Sequence, residues 1–349
     1  MQILYMCIGY TNPETNEFVF QKAEGKAEAF LRKLLEHTVD NGRTRVFRFC
    51  PDEEMAEIVL SYAQAMLFPL ETSPDFDLDA QSNKIVRRLL DAENKANKQL
   101  DAMNKKVKSG SIVLSLLRDD AGVLRFVFAK VDHTRYLEGA NLELHTGFSV
   151  EDRDIWKTAV VQVREEQPVS VGDVLVYMDR PAKYWTDWFL GLTAIRTDAF
   201  NSSSMYKAVC AALKREVEKV SMNDYLILWQ TLVHRINRGK EFDYNEFVYE
   251  LIDNYKPQTA ELDEERLNKL KGKLLGLPES SGFDRQFVLE PGDVASLAKV
   301  RTVKISSGIE LRINREVDVR NTISEVTDEN GNRYIRIRCI DGNAFDEMS

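Results

Sequence analysis

Histidine is the side chain best suited to moving protons near neutral pH or to holding a transition metal. This chain of 349 residues has four, His37, His133, His145 and His234, scattered along it. His133 and His145 could meet across a sheet to hold a metal, but a structural or surface role accounts for each more simply. Asp328, Asn330 and Asn332 repeat the start of a calcium loop, yet the downstream bidentate Glu is missing and Asn330-Gly331 reads as a hairpin turn. Glu93 with Lys95, and Glu24 with Lys26, have the Glu-x-Lys spacing of some nucleases in which two carboxylates and a lysine gather around magnesium. The first pair falls in a helical pattern rather than a strand, and neither has a convincing upstream Asp partner. Phosphate-cradling GxxxxGK[ST], dinucleotide GxGxxG, nucleophile-elbow GxSxG and zinc-protease HExxH patterns are absent. Cys7, Cys50, Cys210 and Cys339 are far apart with no CxxC pair, which argues for buried thiols rather than a disulfide framework or zinc site. These readings assign no catalytic residue, no metal and no cofactor.

What remains is charge. On a helical wheel of ~100° per residue, Lys84, Arg87, Arg88, Lys95, Lys98, Lys105 and Lys106 share an arc of roughly 100°. Ile85, Leu89, Ala96, Leu100, Met103 and Val107 lie on a largely separate arc, so such a helix can pack on a core and turn its cations to solvent. A row of ammonium and guanidinium groups on a rigid rod suits duplex DNA, whose charge recurs every ~1.7 Å of axis. Contacts of this kind hold DNA without reading its sequence. A salt-bridged solvated face would interleave acids at four-residue spacing, and only Asp91 falls inside the row. Lys304, Arg312, Arg336 and Arg338 alternate with apolar residues near the end of the chain and form a second candidate surface, for which protection of edge strands is the alternative. Tyr184, Trp185, Trp188 and Phe189 could stack on bases of a single strand, but at helical spacing they read first as core.

The elements that position these residues follow from periodicity. Short β-like runs (Ile3–Ile8, Phe18–Phe20, Arg45–Phe49) flank a helix over Ala27–Val39, and a second helix covers Asp52–Met66. The basic row lies on a long helix over Ser82–Ser109, with Ser82 as N-cap and Gly110 as terminator. Ser111–Leu117 and Val123–Val131 read as a hairpin, with further strands at Thr158–Val163 and Val174–Met178. Helices follow at Tyr184–Ile195, Ser203–Val220, Asn223–Asn237, Asn245–Asn254 and Glu261–Leu275, with Ser202 or Ser203, Ser221 and Asp243 as caps. The remainder alternates as strands. The expected class is α+β: an antiparallel sheet with a long basic helix (1–180), a helical middle unit (181–277) and a β-rich C-terminal unit (278–349).

Hydrophobic residues at 44% and charged residues at 30% make disorder over most of the length improbable. No apolar run approaches the ~18 residues that cross a bilayer, and Met1–Tyr10 lacks the basic lead and cleavage site of a signal peptide, which predicts a cytoplasmic protein with no membrane partner. The net charge of −9 is unevenly spread. Asn83–Lys108 holds eight basic and three acidic residues, and Lys299–Arg338 nine and six, so the acids are concentrated elsewhere.

Leu89-Leu90-Asp91-Ala92-Glu93 through Met103 to Lys108-Ser109-Gly110-Ser111, Phe126–Leu137, Lys183–Leu192 and Leu277–Pro291 with the following tail together resemble the bacterial nucleoid-associated protein family of the YejK/NdpA type. The likeness spans about residues 80–340 and includes no catalytic signature. It implies a cytoplasmic, nucleoid-associated protein that binds double-stranded DNA, and it transfers no catalytic residue. The leading expectation is a non-enzymatic, sequence-nonspecific DNA-binding homodimer. The alternatives are a divergent magnesium-dependent nuclease, a component of anti-phage or anti-plasmid defence, and a module whose acidic body engages a protein partner.

Overall fold

The computed structural model describes residues 1–22, 27–69, 76–101, 106–131, 133–137, 144–148, 155–292, 294 and 299–339, with backbone alone at 133–137 and 144–148. The fold is α+β. It divides into two compact units, Met1–Ile195 and Arg196–Ser349.

The first unit contains β1 (Gln2–Asn12), β2 (Glu17–Lys22), α1 (Glu28–Val39), β3 (Arg45–Phe49), α2 (Glu54–Leu67), α3 (Leu78–Leu100), β4 (Gly110–Arg118) and β5 (Leu124–Val131). The chain continues through the hairpin β6 (His133–Leu137) and β7 (Leu144–Phe148), then β8 (Ile155–Arg164), β9 (Ser170–Met178), a single π-helical turn (Tyr184–Phe189) and β10 (Leu192–Ala194). Eight strands form one antiparallel sheet in the order β10-β3-β9-β8-β5-β4-β1-β2. Side chains alternate between its faces. Val113, Leu117, Val127, Ala129 and Val160 meet Leu31, Leu34 and Leu35 of α1 on one side. Ile112, Leu114, Leu116, Phe126, Phe128, Ala159 and Val161 meet α2, α3 and the π-turn on the other. Two covered faces explain why these strands read as nearly continuous apolar runs.

Helix α3 lies close on β1 because Gly9 has no side chain; a Cβ there would come within 2.5 Å of Val86 Cγ2. The helix begins and ends earlier than its pattern predicts. Asp77, whose side chain accepts from Asp79 N at 2.9 Å, is the N-cap. Ser82, expected in that role, is buried one turn inside, where its hydroxyl meets Tyr5 Oη at 2.8 Å and also Tyr62 Oη. Burial pushes both phenols well above their usual range. At the other end the helix stops at Leu100, and Asn97 Oδ1 accepts from Val107 N at 2.7 Å, folding the non-helical segment 106–109 back onto the last turn. The helix expected over Tyr184–Ile195 is also reduced, to the π-turn followed by β10, which pairs with β3.

The second unit contains α4 (Asp198–Glu216), α5 (Met222–Asn237), β11 (Lys240–Asp243), α6 (Tyr244–Asp253), α7 (Glu264–Leu275), α8 (Leu277–Ser281) and β12 (Gln286–Leu289). The hairpins β13 (Val300–Ser306) with β14 (Ile309–Asn314), and β15 (Ile323–Thr327) with β16 (Arg333–Ile337), follow. Ser221 and Asp243 cap α5 and α6 as expected, whereas α4 starts earlier than predicted, capped by Thr197 rather than by Ser202 or Ser203. Val303, Ile313, Val319 and Ile323 of the tail pack into the same core as Trp229, Leu232 and Phe247 of the helices, so the helical middle and the β-rich tail fold as one body.

Candidate nucleic-acid interface

The shortened α3 keeps part of the basic row. Lys84, Arg87, Lys95 and Lys98 are exposed along about 21 Å of helix at 1.5 Å per residue. Among the described residues none of the four is in an ion pair. Asp91 is the one acid between them on the exposed side, while Glu93 turns inward. Two of these cations lie on aromatic rings, Arg87 over Phe18 at 5.1 Å and Lys95 over Trp188 at 4.1 Å. Such stacking pre-orders the side chain while leaving its charge available.

The other members of the predicted row differ. Arg88 is half-buried and held by Glu53 at 2.6 Å and Glu54 at 3.6 Å, so its charge is neutralised within the unit. Lys106 lies beyond the helix end, in an exposed pair with Glu14 at 3.1 Å. An exposed pair of this sort is weak, and a polyanion can compete with it. Lys105 falls outside the described residues.

A second group of cations gathers where β4 begins, β5 ends, β8 begins and β9 ends, at one end of the central strands of the antiparallel sheet. Lys130 of β5 and Lys157 of β8 are direct cross-strand partners on the face covered by α3. Like charges placed so are destabilising unless compensated. Compensation comes from Glu93 of α3, which binds Lys130, and from Asp179, which accepts from Lys157 at 2.7 Å. Lys130 also donates to Lys108 O at 2.9 Å and Lys157 to Arg180 O at 3.3 Å. Lys130 and Glu93 are 1% and 0% exposed. Burial pushes the Lys130 ammonium below its usual range, opposed by Glu93. Burial, with Glu93 and Asp179 nearby, raises the Tyr184 phenol.

This arrangement separates Glu93 from Lys95. The carboxylate is buried against Lys130, whereas Lys95 sits on Trp188 at the surface, so the two do not form the pair that the Glu-x-Lys spacing suggests. Residues two positions apart on a helix are separated by ~200°. Glu24 and Lys26 lie outside the described residues. His145 pairs with Tyr136 and His133 with Phe148 in the β6–β7 ladder, so the two histidines are not cross-strand partners. The Asp328 carboxylate is occupied by its own turn, accepting from Asn330 N at 2.9 Å and Asn332 N at 2.8 Å. Of the aromatic run, Trp185 and Phe189 are core, and Tyr184 and Trp188 are half-buried beside lysines.

In the second unit Lys304, Arg312, Arg336 and Arg338 are all exposed. Lys304 faces Glu310 across the β13–β14 ladder and Arg312 faces Thr302, while Arg336 faces Ser324 in β15–β16.

No helix among the described residues is long and apolar enough to cross a membrane. No family model, curated protein or solved structure matches the chain.

Proposed function

We propose that the protein binds double-stranded DNA without sequence preference, in the cytoplasm at the nucleoid, through phosphate contacts from Lys84, Arg87, Lys95 and Lys98, with Lys304, Arg312, Arg336 and Arg338 as secondary contacts. The observation that carries this reading is the exposed file of four cations on α3, unpaired among the described residues, on a chain whose net charge is −9. An acidic body that keeps one helix face positive can hold a polyanion there and repel it elsewhere. The likeness of residues 80–340 to the nucleoid-associated family supports the same conclusion. Replacing Lys84→Glu together with Lys98→Glu changes exposed positions and spares the core. Duplexes of unrelated sequence are expected to bind wild-type protein alike and the double variant at least tenfold more weakly. Equal affinity for the variant would remove α3 from the interface.

The protein acts as a symmetric pair in this account, which doubles the basic footprint. Light scattering should give about twice the 40.1 kDa of one chain. A monomer mass at working concentration would confine the footprint to one copy.

A further inference from the structure

The strand ends that carry Lys130 and Lys157, in the centre of the sheet, depart from regular pairing. Between the pairs Lys130–Lys157 and Val131–Ile155 the register slips, leaving Trp156 as the extra residue of a β-bulge. Bulges re-aim side chains and recur beside functional sites. Here the indole swings over Gly110, where a Cβ would sit 3.0 Å from Trp156 Cζ3 and 3.1 Å from Val131 O. The π-helical turn, another irregularity common at such sites, carries Tyr184 and Trp188, and Lys130 Nζ lies within 6 Å of both the Trp156 and Tyr184 rings.

Cations and rings lie next to one another at these strand ends. Lys108, exposed, lies over Trp156 at 5.3 Å, and Lys130 lies 5.9 Å from the same ring. Lys130 and Lys157 lie 5.7 Å and 5.8 Å from the Tyr184 ring. Lys95 on Trp188 extends the series to α3. Stability does not ask for it. The neighbouring inward positions are Phe128 and Ala159, and well-packed apolar residues usually replace a buried ion pair at no loss. Phosphates on a duplex need no aromatic faces. The half-buried Trp156 ring beside the exposed Lys108 matches what an unpaired strand requires, a flat surface for a base and positive charge for its backbone, while Lys130 and Lys157 stay paired with Glu93 and Asp179 beneath.

We infer that Trp156, Lys108 and Tyr184 form a site for an unpaired nucleotide, at a strand end or in a single-stranded stretch, next to the duplex-binding face of α3. The inference rests on the nucleic-acid reading above and adds a substrate class to it. The exposed Lys108 side chain swings aside so that the base stacks on Trp156, and its ammonium meets the adjoining phosphate.

The test is anisotropy titration of the full chain with a labelled thymidine 20-mer and, separately, a blunt 20-base-pair duplex. Trp156→Ala and Lys108→Ala should each weaken the 20-mer, Trp156→Ala by roughly 5- to 150-fold, the worth of one stacked base. Trp156→Phe, which keeps a ring, should retain most of the affinity, and duplex binding should be unchanged in all three. Wild-type protein that binds duplex but not the 20-mer would overturn the inference and leave the α3 reading intact. So would Trp156→Ala with unaltered 20-mer affinity, or with an equal loss for both ligands. Failure to bind either ligand would remove the α3 reading as well.

Discussion

At the residue scale, the Glu93–Lys130 pair ties the second half of α3 to the middle of the sheet, and its burial fixes what substitution should do. Removing one partner strands a charge in the core, so Glu93→Leu or Lys130→Met alone is expected to lower unfolding stability by about 3–5 kcal/mol. Glu93→Leu combined with Lys130→Met should recover most of that loss. Urea denaturation of the four proteins measures the cycle, and single-site losses that simply add would show the two groups do not interact. Sequence carried a signal for this site that pattern reading passed over. Lys130 occupies the same alternation as Phe126 and Phe128, and Lys157 the same as Ala159 and Val161, so each is a charge at an inward strand position. The two are 27 positions apart in the sequence, and only the register of β5 with β8 reveals that they face each other. The charge of Arg88 was legible, but its neutralisation was not, since Glu53 and Glu54 come from a different helix.

At the scale of elements, the strand ends of the sheet are joined by a forked contact. Arg118 at the end of β4 grips Glu165, just past β8, with Nη2 to Oε2 at 2.8 Å. The Arg118 bond holds the Glu165 carboxyl below its ordinary range. A depressed carboxyl contributes stability above the unfolded value of ~4.3 and loses it as pH falls through the lowered folded value. Both groups are about one-third exposed, so the contribution is about 1 kcal/mol or less. Thermal melts from pH 7 to pH 2 should show a shallower acid decline for Glu165→Gln than for wild type; parallel curves would contradict it. Helix α3 shows why boundaries are harder to read than faces. Its apolar period continues through Met103 and Val107, which predicts helix to Ser109, but the helix ends at Leu100 and Val107 N donates to the Asn97 side chain rather than to a helical carbonyl. A side chain competing for a backbone donor leaves the hydrophobic period untouched. The π-turn has a similar origin: Tyr184, Trp185, Trp188 and Phe189 keep helical spacing, while the chain turns after Leu190 to feed β10 into the sheet.

At the scale of the whole molecule, the account depends on uneven charge rather than net charge. The α+β class, the central antiparallel sheet and the helical second unit follow from periodicity, because alternation of 2 and of 3.6 is local information. The joining of the tail with the helices depends on a core assembled from residues about 80 positions apart, as with Trp229 and Ile313. The duplex-binding claim is tested most directly by the salt dependence of affinity for a blunt 20-base-pair duplex, wild type against the Lys84→Glu/Lys98→Glu variant. Each phosphate contact contributes about −0.9 to the slope of log affinity against log salt, so the four α3 contacts of one chain contribute about −3.6. The variant should lose about half of that slope along with its affinity. A wild-type slope near zero, or a slope identical in the variant, would contradict the proposal that α3 grips DNA through its exposed cations.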